Sequence, residues 1–189
     1  MKPCARHNLV IRICNIFFAP HTNDDNMKTL ILVRHAKSDW KAAYEDDFDR
    51  PLNERGKRDA LNMAERVHEK GLRIQRIVTS PARRARKTAR AFSERYEREG
   101  VPTIEVPELY LADAIDISRV VNSLPDTADT VALFGHNPGI TVYANAQGVA
   151  RVDEMPTCSV LALTAETEYW SEFDQAGKKF LFFDRPRIQ

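Results

Sequence analysis

The chain has 189 residues, 43% of them hydrophobic and 29% charged, which is the composition of one soluble domain large enough to bury a proper core. Its 28 Lys and Arg against 27 Asp and Glu leave a net charge of +1. Nothing global therefore draws it to nucleic acid or to an anionic membrane, and any affinity for anions has to be local. Cys4, Cys14 and Cys158 are an odd set without paired spacing, which argues against a disulfide framework or zinc ribbon and fits a reducing cytoplasm.

Residues 1–26 differ in character from the rest of the chain. Leu9–Ala19 is apolar but broken by Arg12 and Asn15, a poor secretory signal and too short for a membrane span. Met27-Lys28-Thr29 leads into the first convincing strand. The chain is therefore expected to divide into an extension at 1–26, poorly ordered or an upstream-start artefact, and one domain at 27–189.

Leu30–Val33 is a short, unbroken apolar run that stops at Arg34-His35, as a buried parallel strand would. Ser38–Asp49 is polar and acidic with embedded Trp40, Tyr44 and Phe48, which suits a long loop over the strand ends. Asn53 can cap a helix in which Ala60, Met63, Ala64 and Val67 recur at helical spacing until Gly71. Ile74–Thr79 is a second strand, and Ser80-Pro81 reads as a helix start, with a capping serine and a proline preset for the first turn. That helix is expected to run to about Glu99.

Ile104–Val106 is a short third strand, Ile115–Leu124 a helix, and Thr130–Phe134 a fourth strand ending at Gly135-His136-Asn137-Pro138-Gly139. Asn137-Pro138 repeats the cap-then-proline pattern. Val160–Leu163 and Phe180–Phe183 supply two closing strands, antiparallel neighbours at an edge. Strands alternating with helices predict a three-layer α/β/α sandwich around a mostly parallel sheet.

In such a sheet the carboxyl ends of the strands share one edge, where ligands bind. Three of those ends carry polar groups: Arg34-His35, Ser80 with the arginines after it, and His136. Alone, an Arg-His pair would most simply cap a strand at the surface. Phasing the second helix on Ala85, Ala89, Phe92 and Tyr96 turns Arg83 and Arg90 to solvent and leaves Arg84, in the first turn, nearest the strand ends.

Three blocks, Leu-Val-Arg-His-Ala-Lys-Ser-Asp-Trp at 32–40, Ser-Pro-Ala-Arg-Arg-Ala-Arg-Lys-Thr at 80–88 and Gly-His-Asn-Pro-Gly at 135–139, together resemble the histidine phosphatase (phosphoglycerate mutase-like) superfamily. Within it the chain is most similar to the small SixA-type phosphohistidine phosphatases, from about Lys28 to the last strand. Arg-Pro-Leu-Asn-Glu-Arg-Gly at 50–56 also resembles the family's helix entry.

The resemblance implies that His35 is a nucleophile forming a covalent phosphohistidine. Such a residue must be neutral, with its other ring nitrogen donating to a backbone acceptor. It further implies that Arg34 and Arg84 clamp the phosphoryl group, that His136 donates to its oxygens, and that Glu108 is the general acid, with Asp113 second choice. Ser38 and Lys37 are expected beside them as substrate-binding residues. The nucleophile and acid predict a bell-shaped pH profile with an imidazole-like acid limb.

Lys37 and Lys41 stand where mutase-like members often have Glu and Asn, and the mutases' Trp-Glu-Gly segment is missing, which puts mutase activity in doubt. No cofactor and no metal are expected. No cysteine is followed by Arg six positions on, no P-loop is present, and Asp47-Phe48-Asp49 imitates an aspartyl-phosphatase start within a polar loop.

Residues 100–129 are too few for a large cap domain, so the pocket is expected to be open. The substrate is expected to be a phosphohistidine-bearing protein, with a small phosphate ester as the alternative. A basic rim of Lys37, Lys41, Arg83 and Arg86 would face an acidic partner. A non-catalytic phosphate-binding module is the rival class.

Overall fold

The computed structural model describes residues 27–40, 46–96 and 101–187. The expected extension at 1–26, Lys41 and the last turn expected for the second helix lie outside them. Six strands form one sheet: β1 (Met27–Arg34), β2 (Arg76–Thr79), β3 (Thr103–Glu105), β4 (Thr130–Gly135), β5 (Val160–Glu166) and β6 (Lys178–Asp184). Their spatial order is β3-β2-β4-β1-β5-β6. β3, β2, β4 and β1 are parallel, whereas β5 runs antiparallel to β1 and β6 antiparallel to β5. Only β6 of the closing pair is at the edge; β5 is an inner strand.

Alternation along β1 builds the layers. Leu30 and Leu32 join a core cluster with Ile117, Val121, Ile140 and Tyr143, while Ile31 and Val33 join another with Met63, Val67, Ala89 and Phe92. The helices α1 (Glu54–Glu69) and α2 (Arg83–Arg95) therefore cover one face, and α3 (Ala114–Asn122) and α4 (Gly139–Ala146) the other. This is the expected α/β/α sandwich. No helix among the described residues is long and apolar enough to cross a membrane.

Two expected helix starts come out differently. Asn53 does cap α1, accepting from the Gly56 amide at 2.8 Å. α2, however, begins at Arg83 with Ala82 at the cap position and no side-chain cap; the Ser80 hydroxyl accepts from the Ala82 amide at 3.3 Å just ahead of the helix and also meets His136. α4 likewise begins without a side-chain cap; Asn137 spends its amide on Glu154 and Met155 and accepts from Thr141.

Register carries the site. Arg34 pairs with Gly135 and Thr79 with Phe134, so β1, β2 and β4 end level. The His35 amide donates to the Gly135 carbonyl at 3.1 Å, and the Ser80 amide to the Phe134 carbonyl at 3.0 Å. Beyond β1, the Lys37 carbonyl lies against Gly56 so closely that a Cβ there would come 2.0 Å from its oxygen. Gly56→Ala is therefore expected to destabilise the domain by about 2 kcal/mol, lowering Tm by roughly 4–8 °C. An unchanged melting temperature would mean that the Lys37 turn yields freely.

Candidate active site

Burial forces the chemistry of the two arginines. Arg84, in the first turn of α2, is 2% exposed. A cation at a helix N-terminus opposes the positive end of the dipole, and Arg83 and Arg86 share that turn without an acidic residue. The arrangement calls for an anion. Arg84 Nη1 and Nη2 donate to the Asp47 carbonyl and carboxylate at 2.6 and 2.9 Å. At the end of β1, Arg34 Nη1 donates to Glu154 and to the Met155 carbonyl at 2.8 and 2.6 Å. Each guanidinium is thus held by its outer nitrogens, and the Nε of each is buried without a partner. Unpaired buried donors are costly, and two on guanidiniums mark a place for acceptor oxygens.

Between these charges lie two imidazoles with ring centroids 5.0 Å apart. His35 Nδ1 lies 2.8 Å from the Ala36 carbonyl, which can only accept. The proton is therefore on Nδ1, and Nε2 carries the lone pair. The Ala36 amide in turn donates to Thr88 Oγ1, whose hydroxyl donates to the Arg84 carbonyl, so α2 braces the residue after His35. His136 Nε2 is 2.8 Å from Ser80 Oγ, and its Nδ1 is another buried atom without a partner.

Desolvation lowers the His35 pKa to about 3, assisted by His136, Arg84 and Arg34 and opposed by the Ala36 hydrogen bond. Desolvation and then Arg84 push His136 to about 3 as well, against the attraction of Asp47. Both rings are neutral at physiological pH, as a nitrogen nucleophile must be. The arrangement offers a free lone pair and a cluster of unmatched donors, the requirements for attack on a phosphoryl group.

Comparison with known proteins agrees. The histidine phosphatase superfamily (branch 1) profile matches residues 30–112. A Picosynechococcus protein without an assigned function is 40% identical over 119 residues, covering 62% of this chain and 71% of that protein. The chain belongs to branch 1 of the histidine phosphatase superfamily. A 2,3-bisphosphoglycerate-dependent phosphoglycerate mutase of Bartonella henselae is 32% identical over 93 residues. That match covers 48% of this chain and 45% of the mutase. A solved Agrobacterium tumefaciens structure, assigned to the phosphohistidine phosphatase SixA, is 26% identical with a TM-score of 0.67. It covers 84% of this chain and 99% of that one.

Glu108, Asp113, Ser38 and Lys37 are the other expected site residues. Glu108 sits exposed in a 3-10 turn at Pro107–Leu109 beyond β3, with no hydrogen bond to Arg34, His35, Arg84 or His136. Asp113 caps α3, its Oδ1 accepting from the Ile115 and Asp116 amides at 2.8 and 2.9 Å. The Ser38 hydroxyl is buried and accepts from Arg50 Nη1 at 2.7 Å. Lys37 exposes its side chain and uses its carbonyl to hold the Asn53 amide.

The loop also contributes residues that sequence reasoning did not assign to the superfamily site. Asp47 contacts Arg84, Arg50 donates to Asp47, and Trp40 stacks on Arg50 with the guanidinium carbon 3.5 Å from the ring centroid. Tyr110 stands edge-on to His136 at 5.8 Å.

These environments relocate the expected acid limb, since both rings have pKa values near 3 rather than 6.5. Each folded-state value lies below its unfolded one, so between about pH 6.5 and 3 the unfolded chain binds more protons. Stability should therefore fall on acidification through that window. By NMR the His35 and His136 rings should show no titration between pH 5 and 8; an inflection near 6.5 in either would show a solvated, chargeable imidazole.

Proposed function

We propose that this protein is a phosphatase acting on phosphohistidine in proteins through a covalent phosphohistidine at His35. The carrying observation is that the neutral His35, its Nε2 lone pair free, stands among the unpartnered Nε atoms of Arg34 and Arg84. In this mechanism Nε2 attacks phosphorus as the bond from phosphorus to the substrate's imidazole nitrogen breaks, the Arg34 and Arg84 forks bind the equatorial oxygens, and His136 donates to them as charge spreads in the transition state. The arginines supply the charge that offsets the phosphoryl group, so the reaction as proposed calls on no metal. Water then attacks the phosphohistidine and releases inorganic phosphate.

The open site supports a protein substrate. Among the described residues, the segment between α2 and β4 holds only β3, the Pro107–Leu109 turn and α3, and α3 packs on the core through Ile117, Val120 and Val121. No cap domain is formed from it. The rim is not the uniformly basic one expected. Lys37 and Arg83 are exposed, but Arg86 pairs with Glu105 at 3.6 Å, and Asp46, Asp49 and Glu108 are exposed as well. A phosphoryl group presented on a protein surface can enter such a site, and the acidic side chains remove the reason for requiring an acidic partner.

Acid-quench labelling with a phosphorylated substrate should trap an acid-labile, base-stable phosphoenzyme in the wild type and none in His35→Ala. Label in that variant would displace His35 as nucleophile. For substrate class, kcat/KM on a phosphohistidine-bearing protein should exceed that on a panel of small monoesters. A roughly thousandfold preference for one small metabolite, worth about 4 kcal/mol of transition-state binding, would instead make the enzyme a small-molecule phosphomonoesterase.

A further inference from the structure

The carboxylate engaged with Arg84 comes from the loop, not from the segment after β3. Asp47 Oδ2 accepts from Arg84 Nη2 at 2.9 Å and from the Tyr110 hydroxyl at 3.2 Å. Its Oδ1 accepts from Arg50 Nε and Nη2 at 3.1 and 2.8 Å. Asp46 caps the 3-10 turn at Asp47–Asp49 by accepting from the Phe48 amide, which fixes the direction in which Asp47 enters. Tyr110, which holds Oδ2, also stands against the His136 ring. The Asp47 side chain is 42% exposed, so the carboxylate borders both the clamp and solvent, where a leaving group departs and water arrives.

Resting on the proposed phosphatase reading, we propose that Asp47 is the general acid and base of this site. When His35 Nε2 bonds to phosphorus and the bond from phosphorus to the leaving atom breaks, that atom, the imidazole nitrogen of a phosphohistidine or the oxygen of an ester, takes the Asp47 proton. In the second step water bonds to phosphorus, the bond to Nε2 breaks, and the Asp47 carboxylate takes a proton from the water, restoring the acid.

Charge balance explains how the acid is loaded. In the free enzyme Arg34, Arg84 and Arg50 face Asp47 and Glu154, with both imidazoles neutral, for a local charge of about +1. Partial burial works against ionisation of Asp47, but the charges and hydrogen bonds of Arg84 and then Arg50 prevail, and its carboxyl lies below the usual carboxylate range. A phosphoryl dianion entering the clamp competes for Arg84 and turns the local charge negative, and one proton on Asp47 restores neutrality. Glu154 is less suited: it is 66% exposed and shared between Arg34 and Asn137, so solvent stabilises its charge.

Leaving-group dependence tests the assignment, because an acid matters most for a poor leaving group. Asp47→Asn should lower kcat/KM at least a hundredfold on a simple alkyl phosphate, and less than about tenfold on p-nitrophenyl phosphate, whose phenolate needs no proton. Glu108→Gln should change both substrates by the same small factor. An equal loss on both substrates in Asp47→Asn would make Asp47 only an anchor for Arg84 and overturn the proposal. So would a leaving-group-dependent loss in Glu108→Gln. Phosphoenzyme trapping in the wild type separates the two levels: no phosphoenzyme sinks the phosphatase reading and Asp47 with it. A phosphoenzyme together with a uniform Asp47→Asn loss sinks the Asp47 assignment alone.

Discussion

The site rests on two guanidiniums kept charged, largely withdrawn from water and short of acceptors. An arginine cannot escape burial by losing its proton, so its cost has to be met by partners. Here the partners are rationed. Glu154 and the Met155 carbonyl take the outer nitrogen of Arg34, and Asp47 takes those of Arg84, while both Nε atoms stay unmatched. Burial first, and these charges after it, set the state of the two imidazoles. Out of water and beside such charges they do not take up a second proton, and the same field that would attract a phosphoryl group helps to keep His35 neutral.

Most of the fold was legible because it depends on periodicity. Apolar runs gave the strands, helical spacing gave α1 and α2, and their alternation gave the layers. The convergence of Arg34, His35, Arg84 and His136 was legible for a related reason. Parallel strands must end together, and a 3.6-residue period separates Arg84, buried beside Ala85 and Thr88, from exposed Arg83 and Arg86. Local rules failed where a short polar side chain had two possible partners. Ser80 and Asn137 carry the composition of helix caps, but Ser80 accepts from the Ala82 amide ahead of the helix and also meets a histidine just beyond β4, and Asn137 donates to a carboxylate 17 residues on. Nothing near in sequence records that competition.

Asp47 and Arg50 were hidden for a different reason. Their stretch has no period, and its acidity reads equally well as a solvated loop. The signal that bears on them is electrostatic: an arginine buried in a helix's first turn needs a carboxylate from elsewhere, and the chain's near-neutral total shows that acids are available to pair. Choosing among Asp46, Asp47 and Asp49 requires the turn geometry, in which Asp46 is consumed as the cap and Asp47 alone reaches Arg84 and Tyr110 among the described contacts.

The backbone behind His35 is as constrained as the side chains in front of it. The Cys158 amide donates to both the Arg34 and the His35 carbonyls at 3.1 Å, and Cys158 adopts φ of 63°, a conformation unfavourable for a residue with a Cβ. Its thiol is fully buried, and burial raises its pKa, so it stays an inert, protonated side chain. The residue's contribution is therefore its backbone, which ties the end of β1 to the segment that supplies Glu154 and Met155 to Arg34. In front, a chain of contacts runs inward from the rim: Trp40 on Arg50, Arg50 on Asp47, Asp47 on Arg84. Each charged member offsets the charge of the next, so Arg50 bears on Arg84 through Asp47, and the polar loop is part of the site's electrostatics.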